Sequence, residues 1–448
     1  MITFDDIIPT SLKILRNYTN LISEMDWLVL NRDLNGRIRL IAPDSALENN
    51  NKAQELQALN MDLSRSLINH YHTADIIYEN NVENLSHGTN LITLGEFTNV
   101  FIADRFVNES SWNKIAPVTS GVPRIVFFSI KGGVGRSTSL AATAWHLAQK
   151  GLKVLVIDLD LESPGLSSTL LPPDRQPKYG ITDWLVEDLV DNTDGMIDSM
   201  ISISPLSNDG EIYVVPAHGV LAGEYVSKLG RVWMPKINTK GIQEKWSDRL
   251  KRLIDALERK TEADIILIDS RSGIDEVASC CVTDLGASLI LLFALDGQQT
   301  WNGYRILFHH WLQCGLASKI RERLQIVAAL VPEIDKIPYL ISLRENAYDI
   351  FSDNLYDEIK APSEELIGEI KAEKFTWSVR EIIEGWNFDS ADETAPHSPW
   401  PIQWHRSFTG SLTLHGRLAS IDQSAIDTIF GPLISGVFNT LESGETNE

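Results

Sequence analysis

RIVFFSIKGGVGRST, residues 124–138, joins a strand-length apolar run to a glycine-rich turn, and RSTSLAATAWHLAQKG (136–151) follows as a helix-forming segment closed by Gly151. A strand, a tight turn and a helix in this order bring several backbone N–H groups and the positive end of a helix dipole to one point, which is an anion site. Beyond this stretch the same pattern repeats. KVLVIDLD (153–160), EIYVVPA (211–217), DIILIDS (264–270), SLILLFAL (288–295) and QIVAALV (325–331) are nearly continuous in apolar residues, as strands covered on both faces must be. Helical stretches separate them. Strands alternating with helices predict an α/β fold with a doubly wound, mostly parallel sheet, whose sites lie at the carboxyl ends of the strands.

Three regions are expected. Residues 1–118 form an N-terminal α+β domain: TSLKILRNYTNLI (10–22) and ELQALNMDLSRSLINHY (55–71) have helical spacing, and DWLVLNRDLNGRIRLIA (26–42) reads as a hairpin around LNG. ADIIYEN (74–80) and NVFIADRF (99–106) read as further strands. SSWNKIAPVTSGVP (110–123) has a linker's composition. Residues 119–335 hold the α/β core, and 336–448 form an acidic, mainly helical extension that packs on it, with FDSADETAPHSPWPIQWHRSF (388–408) irregular between helices. The last apolar helix, SAIDTIFGPLISGVFNTL (424–441), lacks a basic face for anionic lipid and is expected to pack on the core.

Bulk properties narrow the function. The 448 residues carry a formal charge of -22, and from Glu333 onward 21 acidic residues face 8 basic ones. Such a balance argues against nucleic-acid binding over a broad surface, which needs clustered Lys and Arg. No apolar run approaches a membrane span and the acidic N-terminus lacks a secretory signal, so a cytoplasmic protein is expected. Cys280, Cys281 and Cys314 have neither disulfide-framework nor zinc spacing, and reduced thiols follow.

The loop departs from the simplest phosphate-binding pattern GxxxxGK[ST], because Ile130 and Arg136 stand at its first Gly and its Lys positions. It resembles instead the deviant loop KGGxGK[ST] of the ParA/MinD family of P-loop ATPases. Lys131 matches the signature lysine, Gly132, Gly133 and Gly135 match the glycines, and only Arg136 departs. VLVIDLDLESPG (154–165), EIYVVPAHG (211–219) and ADIILIDSRSG (263–273) resemble that family's second acidic motif, the strand and turn after it, and the Walker B strand, in the family's order.

The resemblance implies an ATP site formed by Lys131, Gly132, Gly133, Val134, Gly135, Arg136, Ser137 and Thr138. Ser137, Asp269 and Asp158 would hold Mg²⁺ or support its shell, and Asp160 would orient the attacking water. For Asp158 a cap or turn role is the competing reading. Lys131 would reach the partner's phosphates across an ATP-dependent homodimer. Arginine keeps the positive charge of the usual lysine but is a wider, planar fork, so slowed hydrolysis is expected.

Val331 and Pro332 replace the asparagine that reads adenine in many members, and Arg271 either senses phosphate or pairs with a local carboxylate. Iron–sulfur chemistry is excluded by the lack of a cysteine between the second acidic motif and Walker B, and His218, His309, His310 and His405 have no nucleophile elbow to serve. Two functions follow. One is a slow Mg²⁺-dependent ATPase acting as a nucleotide-switched dimer toward a protein partner; by analogy with similar ATPases, the resemblance implies a multi-component bacterial system, with antiviral defence as one example. The other is a non-hydrolysing, ATP-gated scaffold.

Overall fold

The computed structural model describes residues 2–72, 75–86, 91–105, 112–207, 209–237, 243–357, 385–406 and 423–445. They divide into two compact units, Met1–Asn113 and Lys114–Glu448.

The first unit is built on a five-stranded sheet in the order β3-β2-β1-β5-β4. Its strands are β1 (Leu28–Arg32), β2 (Ile38–Pro43), β3 (Ile77–Glu79), β4 (Leu91–Thr93) and β5 (Val100–Asp104). The hairpin expected around LNG is present: β1 and β2 pair antiparallel, and Gly36 takes the left-handed φ of 79° that the turn requires. Helices Ile7–Leu15 and Asn50–Leu67 bury Ile7, Ile14, Leu15, Leu56, Leu59 and Leu63 in the core with Leu28, Leu30, Leu40 and Ile102 of the sheet. The polar end of NVFIADRF has a structural explanation. Asp104 is the register partner of Arg32 on the neighbouring strand, and the two form a largely buried ion pair.

The second unit carries an eight-stranded sheet ordered β15-β14-β13-β6-β12-β7-β9-β8. Its strands are β6 (Arg124–Ser129), β7 (Lys153–Asp158), β8 (Ser202–Ile203), β9 (Glu211–Val215), β12 (Ile265–Ser272), β13 (Leu289–Ala294), β14 (Leu324–Val331) and β15 (Trp400–Gln403). A separate two-stranded ribbon, β10 (Lys236–Ile237) with β11 (Gln243–Glu244), lies between β9 and β12 in the chain. All neighbours in the large sheet are parallel except β8 and β9.

Both faces of this sheet are covered, which is why its strands read as continuous apolar runs. From β6, Phe127 enters a core shared with helices Arg136–Gln149 and Gln423–Glu445, while Phe128 meets Tyr304 of helix Gln298–Gln313 edge-on. The chain is doubly wound in this sense. The C-terminal helix buries Ile426, Phe430, Leu433 and Val437 in that core, and Gly436 leaves the space that the Trp400 indole occupies.

β15 is a departure from expectation. It comes from the stretch read as irregular, and it extends the sheet beyond β14 as a parallel edge strand. Pro401 in its middle is tolerated because an edge strand has one side without a ladder partner. The expected linker 110–123 lies partly outside the described residues; within the second unit, Ala116 N–H donates to Thr283 O at 2.7 Å and Thr119 N–H to Gly286 O at 3.0 Å.

Candidate functional site: the loop after the sixth strand

The glycine-rich loop leaves the carboxyl end of β6 and enters helix Arg136–Gln149, so its N–H groups sit at the amino end of a 14-residue helix. Gly133 and Gly135 hold φ values of 74° and 81°, a conformation that costs other L-residues about 1–2 kcal/mol. Val134 drops its side chain into the hydrophobic core and so anchors the loop, leaving its backbone to face outward. Ala141, Ala142, Ala144 and Ala148 let the helix approach the sheet closely, and Gly151 ends it at φ 86°.

A cavity of about 280 Å³ opens here, lined by residues 132–138 with Asp160, Ser163 and Ser272. It is near the lower limit of ligand pockets, roughly 300 Å³. That size suits a phosphate tail with the rest of a nucleotide lying outside. Lys131 is exposed at the mouth of the loop, and it makes no ion pair among the described residues. Ser129, Ser163 and Ser272, which the sequence reading passed over, also belong to the site. Ser163 was detectable, since a serine three residues after an aspartate commonly closes a turn on the carboxylate.

The carboxylates are brought together by strand register. Asp158 ends β7 and is the register partner of Asp269, three residues before the end of β12, and Asp160 follows two residues beyond β7. Asp158 is fully buried; its Oδ1 accepts from the Asp160 N–H at 3.2 Å and its Oδ2 from the Leu166 N–H at 3.2 Å. Both oxygens therefore have local backbone partners, the arrangement of a cap. Burial, reinforced by the charge of Asp269, pushes the Asp158 carboxyl up to about 8. Burial also raises Asp269, against the opposing pull of Arg136 and of the Ser137 hydroxyl.

Arg136 is turned inward. Only 7% exposed, it donates from Nε to Asp269 Oδ1 at 2.7 Å, from Nη1 to Ser129 Oγ at 2.9 Å and from Nη2 to Asp160 Oδ2 at 3.2 Å. Its own pKa is raised: burial disfavours the charge, but Asp269, Asp160 and Asp158 together outweigh it. The expectation that Arg136 would simply keep a lysine's charge for the phosphates did not anticipate this engagement. The second Asp269 oxygen accepts from Ser137 Oγ at 2.5 Å. Asp160 is likewise engaged on both oxygens, since its Oδ1 accepts from Ser163 Oγ at 3.0 Å.

These contacts test whether the residues fit Mg²⁺. Ser137 and Asp269 are the right donors in the right mutual position. Arg136 is not compatible with a metal there, because a buried guanidinium already occupies the Asp269 oxygen that Ser137 leaves over and bridges to Asp160. Asp269 is 1% exposed and does not line the cavity, whereas Arg136 does. A divalent cation would have to displace a buried, paired arginine and leave it beside a like charge. The donor set as it stands does not fit the metal.

At the rim, Arg271 Nη2 lies 2.5 Å from Glu162 Oε2 and its Nε 3.2 Å from Asp275 Oδ2, which is the local pairing rather than a phosphate contact. Val331 and Pro332 do not line the cavity. Leu330, at φ 50°, places its side chain so near Gly135 that a Cβ there would meet it at 3.3 Å. Cys280 and Cys281 are buried free thiols, Cys281 pushed up to about 12 by burial, so neither offers a reactive thiolate.

Comparison with known proteins agrees with this geometry. Residues 125–374, more than half the chain, match the CobQ/CobB/MinD/ParA nucleotide binding domain. The chain belongs to this family. The glycine-rich loop, β7, β12 and β14 all fall within the matched span.

Among solved structures, similarity extends to a ParA family ATPase from Chlorobium tepidum at 16% identity, covering 56% of this chain and 89% of that one, with a TM-score of 0.35. The septum site-determining protein MinD of Pyrococcus horikoshii, complexed with Mg-ADP, is 21% identical over 48% of this chain and 72% of its own, with a TM-score of 0.33. An ATP complex of a Cyanothece McdA variant is 16% identical over 72% and 98%, with a TM-score of 0.39. No curated protein sequence matches the chain. Among the described residues, no helix is long and apolar enough to cross a membrane.

Proposed function

We propose that this chain is an ATP-gated switch: it holds ATP in the loop Lys131–Thr138, pairs with a second copy in that state, and thereby changes its affinity for a protein partner. The observation that carries this reading is the glycine-rich cradle at the amino end of helix Arg136–Gln149, backed by carboxylates from two separate strands and set in a chain of a nucleotide-binding family. Hydrolysis is not its work. Phosphoryl transfer depends almost wholly on positioning and charge, and both oxygens of Asp160, the residue placed to orient water, are held by Arg136 and Ser163. Asp158 serves to cap the turn after β7. Adenine is read without the usual asparagine.

Calorimetric titration of the full chain with ATP tests the binding, and phosphate release with Asp160→Ala as the blank tests the absence of turnover. No heat with any adenine nucleotide would end the proposal. A second reading, a slow ATPase, is favoured by two observations: Asp160 lines the cavity and Ser137 remains bonded to Asp269. Release of phosphate clearly above the blank would select it. In either case the partner is a protein, since the charge of -22 gives little purchase to a nucleic-acid backbone.

A further inference from the structure

Resting on the ATP-binding reading above, we infer that Arg136 is the resident cation of this site, so that the cradle takes its nucleoside triphosphate free of divalent metal. The positive charge that a triphosphate needs beside its terminal phosphates is usually brought by the metal it carries. Here the protein supplies a fixed one. The guanidinium is buried, held at three points by Asp269, Ser129 and Asp160, and it lines the cavity. A guanidinium has five N–H donors. Three are used in these contacts, which leaves two for phosphate oxygens without breaking any existing bond.

The same geometry withholds the metal's anchors. Asp269 spends one oxygen on Arg136 and the other on Ser137, and it has no surface on the cavity. Asp158, its register partner on the neighbouring strand, has both oxygens on backbone N–H groups. An incoming metal–triphosphate complex therefore finds a positive group where its cation would sit, and every oxygen of the three carboxylates already accepts a hydrogen bond. Lysine at position 136 would behave differently. With one compact ammonium it cannot span Asp269, Ser129 and Asp160 together, so the carboxylates would be open to a cation.

The test uses the intact chain and ATP. In calorimetric titrations, the wild type should bind ATP at least as tightly in excess EDTA as in excess magnesium, whereas Arg136→Lys should weaken by about tenfold or more when magnesium is removed. In parallel, the wild type added to a manganese–ATP mixture should release Mn²⁺, seen as growth of the hexaaquo signal by electron paramagnetic resonance; this arm holds even where the variant does not fold. Wild-type binding that requires magnesium, or Mn²⁺ retained on protein-bound ATP, overturns the inference while leaving the ATP switch intact. Absence of binding under both conditions removes the switch and the inference together.

Discussion

Asp158, the last residue of β7, stands beside Asp269 of β12, two buried carboxyls in register on adjacent strands. Water cannot screen them there, so their charges are tolerated only through proton uptake or through a counter-charge. Arg136 supplies the counter-charge to Asp269. Asp158 receives only two backbone N–H groups, and its carboxyl is the one pushed up to about 8.

A pH dependence follows from that. In the folded chain Asp158 keeps its proton up to about 8, but in the unfolded chain it loses it near the ordinary value of 3.8. Its contribution to stability is therefore complete below about pH 4 and is lost as the pH rises toward 8. Asp158→Asn does not titrate. The stability gap between the variant and the wild type should shift in the variant's favour by about 3–4 kcal/mol between pH 5 and pH 8, as measured by denaturant unfolding. A gap that stays constant with pH would show that Asp158 holds no proton in this range.

Replacing Arg136 by lysine should change turnover. Arg136 takes Oδ2 of Asp160 and so blocks the carboxylate placed to orient water; a lysine cannot bridge Asp160, Ser129 and Asp269 at once. Phosphate release by Arg136→Lys should rise by about tenfold or more over the wild type, a change of roughly 1.4 kcal/mol in barrier. Arg136→Ala should instead unfold more easily by about 3 kcal/mol, since it strands a buried carboxylate. Equal release by wild type and Arg136→Lys would refute the inhibitory role given to the guanidinium.

How far these features could be read in advance depended on how local their causes are. The core strands are visible because burial on both faces demands unbroken apolar runs, and the hairpin because Asn35–Gly36 suits its turn. The loop, Asp160 and Asp269 are visible as short motifs. The direction of the Arg136 side chain is not, because it is set by residues up to 133 positions away. β15 escaped for another reason: four residues with a central proline, preceded by Ser and Pro, carry no strand signal. Only the exposed edge of β14 makes a strand of them. Ser129 and Ser272 escaped because a lone serine at a strand end has no distinctive spacing.

The two left-handed glycines of the loop should separate when each is changed to alanine. At Gly133 an added methyl meets nothing within 4 Å, so the cost is the backbone strain of about 1 kcal/mol, and the methyl stands at the cradle. At Gly135 the methyl also presses on the Leu330 side chain at 3.3 Å. Thermal unfolding should therefore show Gly135→Ala destabilised by about 2 kcal/mol and Gly133→Ala by about half of that. ATP titration should show both weakened. Equal losses of stability would mean that Leu330 yields freely.

Lys131 should matter to assembly more than to the fold. It is exposed, and it makes no ion pair among the described residues, so Lys131→Ala should leave the unfolding midpoint within about 0.5 kcal/mol of the wild type. If its ammonium reaches the phosphates held by a second copy, removing it deletes a charge-assisted contact at the centre of the pair. Light scattering with ATP present should then report mass doubling for the wild type and a monomer for Lys131→Ala at the same concentration. An unchanged doubling in the variant would place Lys131 in its own loop and require another contact to hold the two copies together.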